Sequence, residues 1–183
     1  DRSGAKAPLT PAAARLAKAV RGGRLEGVRA AAGATSKAAA KLAWQAQRVL
    51  LEAPLAAAKR RDADVDARAA LADAVDEAQR PFGAAADSLL RGAGHVEAAH
   101  SLLMALGDLE RYRETLCGTP KTGNAAALYV RALALRPASG RCCGNLGALE
   151  DAAQRPWRAA HWYLRAGRCG EPWAAAAAAL GAA

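Results

Sequence analysis

The strongest constraint on the fold is a sequence pattern that repeats after 34 residues. Repeats of this length are typical of tetratricopeptide arrays, in which each repeat is a pair of packed helices. Small residues let paired helices approach closely, and Pro137 would end the second helix of one pair. The sequence therefore predicts helical hairpins of the α-solenoid type. The matching positions are Ala125 and Ala159, Tyr129 and Tyr163, Arg131 and Arg165, Ala132 and Ala166, and Leu146-Gly147 and Leu180-Gly181.

An earlier Leu-Gly pair has a different spacing. Leu106-Gly107 lies 40 residues before Leu146-Gly147, not 34. The first hairpin is therefore predicted to contain about six additional residues, located in the turn region from Gly118 to Gly123.

The composition favours an all-α protein in one domain. Ala, Leu and Arg dominate, and the chain contains one Phe and three Tyr, so strands have little to build with. We expect a flexible lead-in over 1–11 and a single helical domain with tetratricopeptide-like hairpins over 12–183, with N-terminal helices in 12–92 and hairpins in 95–183. The domain is expected to be truncated inside a hairpin, since terminal repeats need a capping face. The predicted packing residues are Trp44, Phe82, Tyr129, Trp157, Trp162, Tyr163 and Trp173.

Helix boundaries follow from caps and breakers. Thr35-Ser36 can cap a helix that runs to about Glu52, before Pro54. An acidic helix is predicted over about 62–91, kinked or split by Pro81. Further helices are predicted at 12–30, 95–116, 123–136, 140–153, 156–168 and 172–182.

An Arg-Tyr pair lies near the end of the helix predicted at 95–116. Arg111 lies off the apolar stripe of this helix, and Tyr112 projects about 100° further round. A guanidinium offers paired donors that fit phosphate oxygens, and a phenol adds one more. The two side chains could bind one phosphate dianion. In the alternative interpretation, Asp108 and Glu110 neutralise the arginines of this segment, Arg111 and Arg113, on a solvated helix face.

The region from Leu103 to Leu180 resembles the N-terminal 14-3-3-like domain of the SMG/Est family. This family comprises nonsense-mediated-decay adaptors and telomerase-associated factors. The similar segments are Leu106 to Tyr112, Tyr129 to Gly140, Asn145-Leu146-Gly147, Trp162-Tyr163-Leu164-Arg165, and Pro172-Trp173-Ala174-Ala175.

The resemblance implies four site residues. Arg111 and Tyr112 correspond to the pair that holds the phosphate of a peptide bound to 14-3-3 proteins. Arg48 is the candidate for a second basic ligand, although the family pattern places that residue where Val49 stands. Asn145 would hydrogen-bond the peptide backbone, because a carboxamide both donates and accepts. Alternatively, Asn145 caps or bridges two helices.

The resemblance also implies a function. The chain would be a non-enzymatic adaptor that binds a phosphoserine or phosphothreonine segment, with the phosphorylated RNA helicase of nonsense-mediated decay as the expected partner. A heterodimer with a related family member and a location in cytoplasm and nucleus are further expectations. One alternative is a telomerase-associated factor that binds RNA or DNA. Another is a scaffold that ignores phosphorylation and binds unmodified segments through Tyr129, Trp162 and Tyr163.

Charge is distributed unevenly along the chain. The net charge is +9 over residues 1–60, −4 over 61–100 and +4 over 101–183, which gives the overall +9. The two basic regions could therefore face each other across an anion-binding concavity, with the acidic helix outside. Such a surface attracts phosphopeptides and nucleic acids alike, but the sequence contains no recognised nucleic-acid motif.

Other function classes find little support in the sequence. Phosphate-loop, zinc-protease and serine-hydrolase motifs are missing, and the four cysteines have no Cys-x-x-Cys spacing, so we expect neither an enzyme nor a metal or other cofactor. We expect free thiols in a reducing compartment. Of the neighbours Cys142 and Cys143, one is predicted to point into the core and one outward. We expect no membrane segment.

Overall fold

The computed structural model describes residues 37–60, 63–92, 95–117 and 123–182. These residues are mostly helical and form no β-strand beyond an isolated bridge between Ser139 and Glu171, which confirms the all-α prediction. The predicted lead-in over 1–11 and the predicted helix over 12–30 lie outside the described residues. The helices are α1 (Lys37–Ala58), α2 (Val65–Arg91), α3 (Val96–Leu116), α4 (Asn124–Leu135), α5 (Gly140–Ala152), α6 (Pro156–Arg168) and α7 (Ala176–Ala182).

Two prolines lie inside helices that the sequence predicts to end or break. Helix α1 continues through Pro54 to Ala58, so the predicted end near Glu52 is wrong. The residues around Pro54 remain helical because Leu51 and Ala58 are buried in a core shared with α2. Helix α2 likewise runs through Pro81 as one element. In both cases, packing of the apolar face compensates for the hydrogen bond that a proline cannot donate.

Two other helix starts show how the chain uses local polar groups. Asp64 caps α2, and its Oδ1 accepts a 2.8 Å hydrogen bond from the Ala67 amide. Helix α7 begins at Ala176 and not at 172 as predicted, because the preceding segment bonds to other elements. Glu171 O accepts from the Gly140 amide at 2.9 Å, and the Trp173 amide donates to Ala166 O at 2.8 Å.

The repeat corresponds to two helix pairs with the same internal contact. In the pair α3 and α4, a Cβ added to Gly107 would lie 2.5 Å from the Tyr129 ring. In the pair α5 and α6, a Cβ added to Gly147 would lie 2.5 Å from the Tyr163 ring. A glycine in the first helix thus allows a tyrosine of the second helix to pack against its backbone. The repeated alanines are buried in both pairs: Ala125, Ala132, Ala159 and Ala166.

The first helix pair is longer than the second in two places, at the end of α3 and in the connection from α3 to α4. Helix α3 extends to Leu116, nine residues past Gly107, whereas α5 ends at Ala152, five residues past Gly147. The connection from α3 to α4 is also longer than the one from α5 to α6. Part of the additional length therefore lies in α3, and residues 118–122 of the predicted turn region lie outside the described residues.

The core has two parts that meet at α3. One is built mainly from α2, α3, α4 and α5, and the other from α1, α2 and α3 around Leu51, Leu71 and Leu109. The aromatic packing prediction fails at Trp157, which is 89% exposed. The cysteine prediction fails too, since Cys142 and Cys143 are both buried, and Cys142 packs against His100 and Met104 of α3. All four cysteines are free thiols, as predicted.

Across the described ranges, no helix combines the length and the apolar character that a membrane crossing needs.

Candidate functional site

The site centres on a buried carboxylate in α3. Asp108 is only 5% exposed, and its Oδ1 accepts hydrogen bonds from Tyr129 Oη at 2.8 Å and from Asn145 Nδ2 at 3.1 Å. Arg111 Nη2 lies 3.6 Å from the same oxygen, and Arg141 Nη2 lies 3.5 Å from Oδ2. We call these five residues the Asp108 cluster. It joins α3, α4 and α5 through one charged group.

Arg111 is held by the cluster on one side and by a ring on the other. Its Nε donates to Tyr129 Oη at 3.4 Å, and its Cζ lies 4.8 Å from the centre of the Tyr112 ring. Burial acts to lower the pKa of Arg111, but Tyr129 and Asp108 outweigh it, so the pKa is raised above its ordinary value. The guanidinium is therefore a fixed positive charge, and 29% of the side chain remains exposed.

The Tyr112 side chain is partly buried and contacts both a charged group and an apolar cluster. Its ring lies beside the Arg111 guanidinium and also packs against the apolar cluster that contains Leu51 and Leu109. The structure thus places the Tyr112 ring against the Arg111 guanidinium, and their joint binding of a phosphate stays a prediction. The packing fixes the ring of Tyr112, so this residue supports the position of Arg111 as well as being a candidate phosphate ligand.

Arg48 lies outside the contacts that hold the Asp108 cluster together. It is exposed on α1, and in the residues that the structure describes no hydrogen bond or ion pair links it to Arg111, Tyr112 or Asp108. Four residues earlier, Trp44 packs edge-on against Phe82 with ring centres 6.1 Å apart. Two basic ligands of one phosphate need not contact each other, so Arg48 as the second basic ligand stays a prediction.

Arg141 supplies a second basic side chain that the sequence analysis missed. It lies one helical turn before Asn145 on α5, so both side chains project from one face. Its side chain is 60% exposed, and it approaches Asp108 on the oxygen opposite Arg111. The spacing to Asn145 is the signal that could have identified it.

A groove with a volume of about 290 Å³ opens beside the Asp108 cluster. Its wall includes Asp108 and Arg141, so Arg111 is linked to the groove through the carboxylate that it contacts. Arg136 also lines the groove but is paired with Glu97 at 2.7 Å and with Glu171. The lining residues are Trp44, His100, Ser101, Met104, Ala105, Asp108, Arg136, Ser139, Arg141 and Glu171.

The alternative interpretations of the polar residues are partly realised. Asp108 does contact Arg111, whereas Glu110 accepts a 2.7 Å hydrogen bond from Gln79 of α2. Asn145 does bridge two helices through Asp108. Even so, one carboxylate faces two guanidinium groups in this cluster, which leaves an excess positive charge. Such a charge favours the binding of an anion.

The cluster predicts a specific effect of alkaline pH on stability. Burial and the neighbouring Asp108 raise the pKa of Tyr129 despite the opposing effect of Arg111. The stability that depends on neutral Tyr129 is therefore fully present below the unfolded pKa of about 10 and is lost as the pH rises above it. The loss should approach about 1.4 kcal/mol per pH unit for this one group.

A Tyr129→Phe variant tests this. At neutral pH the free energy of unfolding of this variant should be about 1–2 kcal/mol lower than that of the parent chain, because Asp108 loses a buried hydrogen-bond donor. Above pH 10 the difference from the parent chain should shrink, since the variant lacks the group that titrates. Urea unfolding measured from pH 7 to 11 would check both statements, and parallel pH profiles for the two proteins would contradict the role assigned to Tyr129.

Comparison with known proteins adds no relative to this picture. No protein-family model matches the chain, and no curated protein matches it in sequence. Its function is therefore inferred from the Asp108 cluster and the groove beside it.

Proposed function

We propose that this chain is a phosphopeptide-binding adaptor. The observation that carries the proposal is the convergence of two guanidinium groups from different helices, Arg111 and Arg141, on one carboxylate at the wall of a groove. A phosphate dianion at this position would meet two guanidinium groups around one carboxylate, whereas Arg136 of the groove wall is already paired with Glu97 and Glu171.

The arginines have donors to spare for such a ligand. A guanidinium carries five N–H groups, and Asp108 and Tyr129 engage only part of those on Arg111. Arg141 is more exposed and contacts Asp108 through one nitrogen at 3.5 Å. Both can therefore turn free N–H groups towards phosphate oxygens. Tyr112 would add a phenol donor, and Asn145 would hold the peptide backbone beside the groove.

The resemblance to the SMG/Est family suggests the biological setting of this activity. The expected partner is the phosphorylated RNA helicase of nonsense-mediated decay, bound through a phosphoserine or phosphothreonine. Pairing with a related family member, action in cytoplasm and nucleus, and the lack of an enzymatic step belong to the same proposal.

Binding of matched peptides tests the proposal. Fluorescence anisotropy would compare phosphorylated and unphosphorylated Ser-Gln peptides with the parent chain and with the Arg111→Ala and Arg141→Ala variants. Since hydrogen bonds to charged groups contribute about 1.5–3 kcal/mol, each variant should lose roughly tenfold to a hundredfold in affinity for the phosphopeptide. Arg111→Lys should also lose affinity, because lysine keeps the charge but not the planar fork.

The matched control is Arg131→Ala. Arg131 is exposed on α4 and is not part of the groove wall, yet its replacement removes the same charge. Its phosphopeptide affinity should stay within about twofold of the parent value if the effect is local and not a general one of net charge. Circular dichroism would confirm that the variants are folded. Equal binding of both peptides by the parent chain would contradict the proposal.

A second candidate is a scaffold that binds unmodified segments. The apolar part of the groove favours it, since Trp44, Met104 and Ala105 line the same cavity. However, two of the three contact residues predicted for such a scaffold, Tyr129 and Tyr163, are buried between paired helices and present no binding surface. The same titration distinguishes this function, because a scaffold would bind both peptides equally and would tolerate Arg111→Ala.

Nucleic-acid binding stays a prediction of the family resemblance and the basic charge. This function would be recognised by an affinity for single-stranded DNA or RNA that falls steeply as salt is added. The affinity would not depend on the presence of phosphopeptide.

A further inference from the structure

Three soft donor atoms meet beneath the groove. His100 and Met104 lie one turn apart on α3, and Cys142 faces them from α5. Cys142 Sγ lies 3.4 Å from His100 Nε2 and 3.1 Å from Met104 Sδ. All three residues are buried, and His100 and Met104 line the groove. An imidazole, a thioether and a thiol thus share one small volume.

We propose that His100, Met104 and Cys142 form a three-coordinate binding site for copper(I). The proposal is independent of phosphopeptide binding, because it uses different side chains and a different ligand.

The donor set selects a soft monovalent ion. Thiolate and thioether sulfurs favour copper(I), and imidazole is also a ligand for copper. One thiolate with one Cu⁺ gives a neutral unit, which can be buried without leaving an isolated charge. Zn²⁺ would leave an uncompensated positive charge and would need a fourth ligand. In the described part of the chain, no three His, Cys, Asp or Glu side chains are grouped to supply such a set.

The two distances from Cys142 Sγ are compatible with a trigonal site after small movements. With metal–sulfur and metal–nitrogen bonds of about 2.3 and 2.0 Å, the donor atoms of a trigonal site lie roughly 3.7–4.0 Å apart. The observed separations of 3.1 and 3.4 Å therefore require outward shifts of less than about 1 Å. Met104 can supply most of this movement, because its side chain has three rotatable bonds.

Binding would release one proton and change no oxidation state. An ordinary cysteine is mostly S–H at neutral pH. Cu⁺ replaces that proton, an S–Cu bond forms, and the proton leaves to solvent. Ser139, which is buried three residues before Cys142, would then support the thiolate. The groove provides the route of access.

The test is a titration of the reduced, purified chain with Cu(I) under argon, in competition with a chromogenic copper(I) chelator. We expect one tightly bound ion per chain. Met104→Leu keeps the volume of the side chain and removes its sulfur, and it should lower copper affinity about tenfold or more. Cys142→Ala should abolish the site. X-ray absorption at the copper edge should show two sulfur and one nitrogen neighbours.

Cys169→Ala is the matched control, because Cys169 is a free thiol that lies outside the three-residue cluster. It should bind copper as the parent chain does. Unchanged affinity in both Met104→Leu and Cys142→Ala would mean that other thiols hold the ion, and the proposal would be wrong. Failure of the parent chain to compete with the chelator would equally overturn it. Because Met104→Leu is nearly isosteric, it tests the site even if Cys142→Ala is poorly folded.

Discussion

Replacing Asp108 with alanine is expected to lower the free energy of unfolding by about 3–5 kcal/mol. The carboxylate is buried and is approached by Tyr129, Asn145, Arg111 and Arg141. Without it, the Tyr129 hydroxyl and the Asn145 amide lose a buried acceptor, and Arg111 loses its counter-charge. Breaking one side of such a group costs far more than the net contribution of the intact contacts. Urea unfolding at neutral pH measures the change.

Two further variants separate the charge from general effects of substitution. Asp87→Ala removes an exposed carboxylate from α2 and should change stability by no more than about 0.5 kcal/mol. Asp108→Asn keeps an acceptor for Tyr129 but removes the charge that faces the arginines. Its loss of unfolding free energy should therefore lie between the losses of Asp108→Ala and Asp87→Ala. An Asp108→Ala variant as stable as Asp87→Ala would show that water or local rearrangement satisfies the partners, and the cluster would not be the element that joins the three helices.

The helix pairs could be predicted because their determinants are local and periodic. Tyr129 and Tyr163 recur at the repeat spacing, and the glycines that receive them occur in repeated Leu-Gly pairs. Helix continuity across Pro54 could not be predicted from such signals. Pro54 breaks a local rule, and the packing that overrides it comes from α2, which is distant in sequence.

The site was only partly predictable for a similar reason. Arg111 and Asn145 could be identified from the family resemblance, and the structure joins both to Asp108. For Asp108 the sequence suggests only the alternative role of neutralising its neighbours on a solvated helix face. Its partners Tyr129 and Asn145 lie 21 and 37 residues away, so its burial arises only when α3, α4 and α5 assemble. The proposed copper site matches no sequence motif, because its third donor is a thioether and its cysteine has no Cys-x-x-Cys spacing.

Replacing Gly107 with alanine should lower the free energy of unfolding by about 3 kcal/mol. The new methyl group would lie 2.5 Å from the Tyr129 ring, which is fully buried and hydrogen-bonded to Asp108. The ring cannot move aside without breaking that bond, so α3 and α4 must separate. Gly147→Ala should cause a similar loss against Tyr163, whose hydroxyl bonds Asp151 at a longer 3.3 Å. Thermal and urea unfolding would measure both changes.

Gly83→Ala provides the matched control within the same chain. Gly83 lies inside α2, and a Cβ there would meet no atom within 4 Å. Because alanine is favoured over glycine in helices, the free energy of unfolding of this variant should rise by up to about 1 kcal/mol. The same substitution is thus expected to have opposite signs at two helical positions. A stabilised Gly107→Ala protein would mean that α3 and α4 do not approach as closely as the repeat requires, and Tyr129 could then not position Asp108 and Arg111 for an anionic ligand.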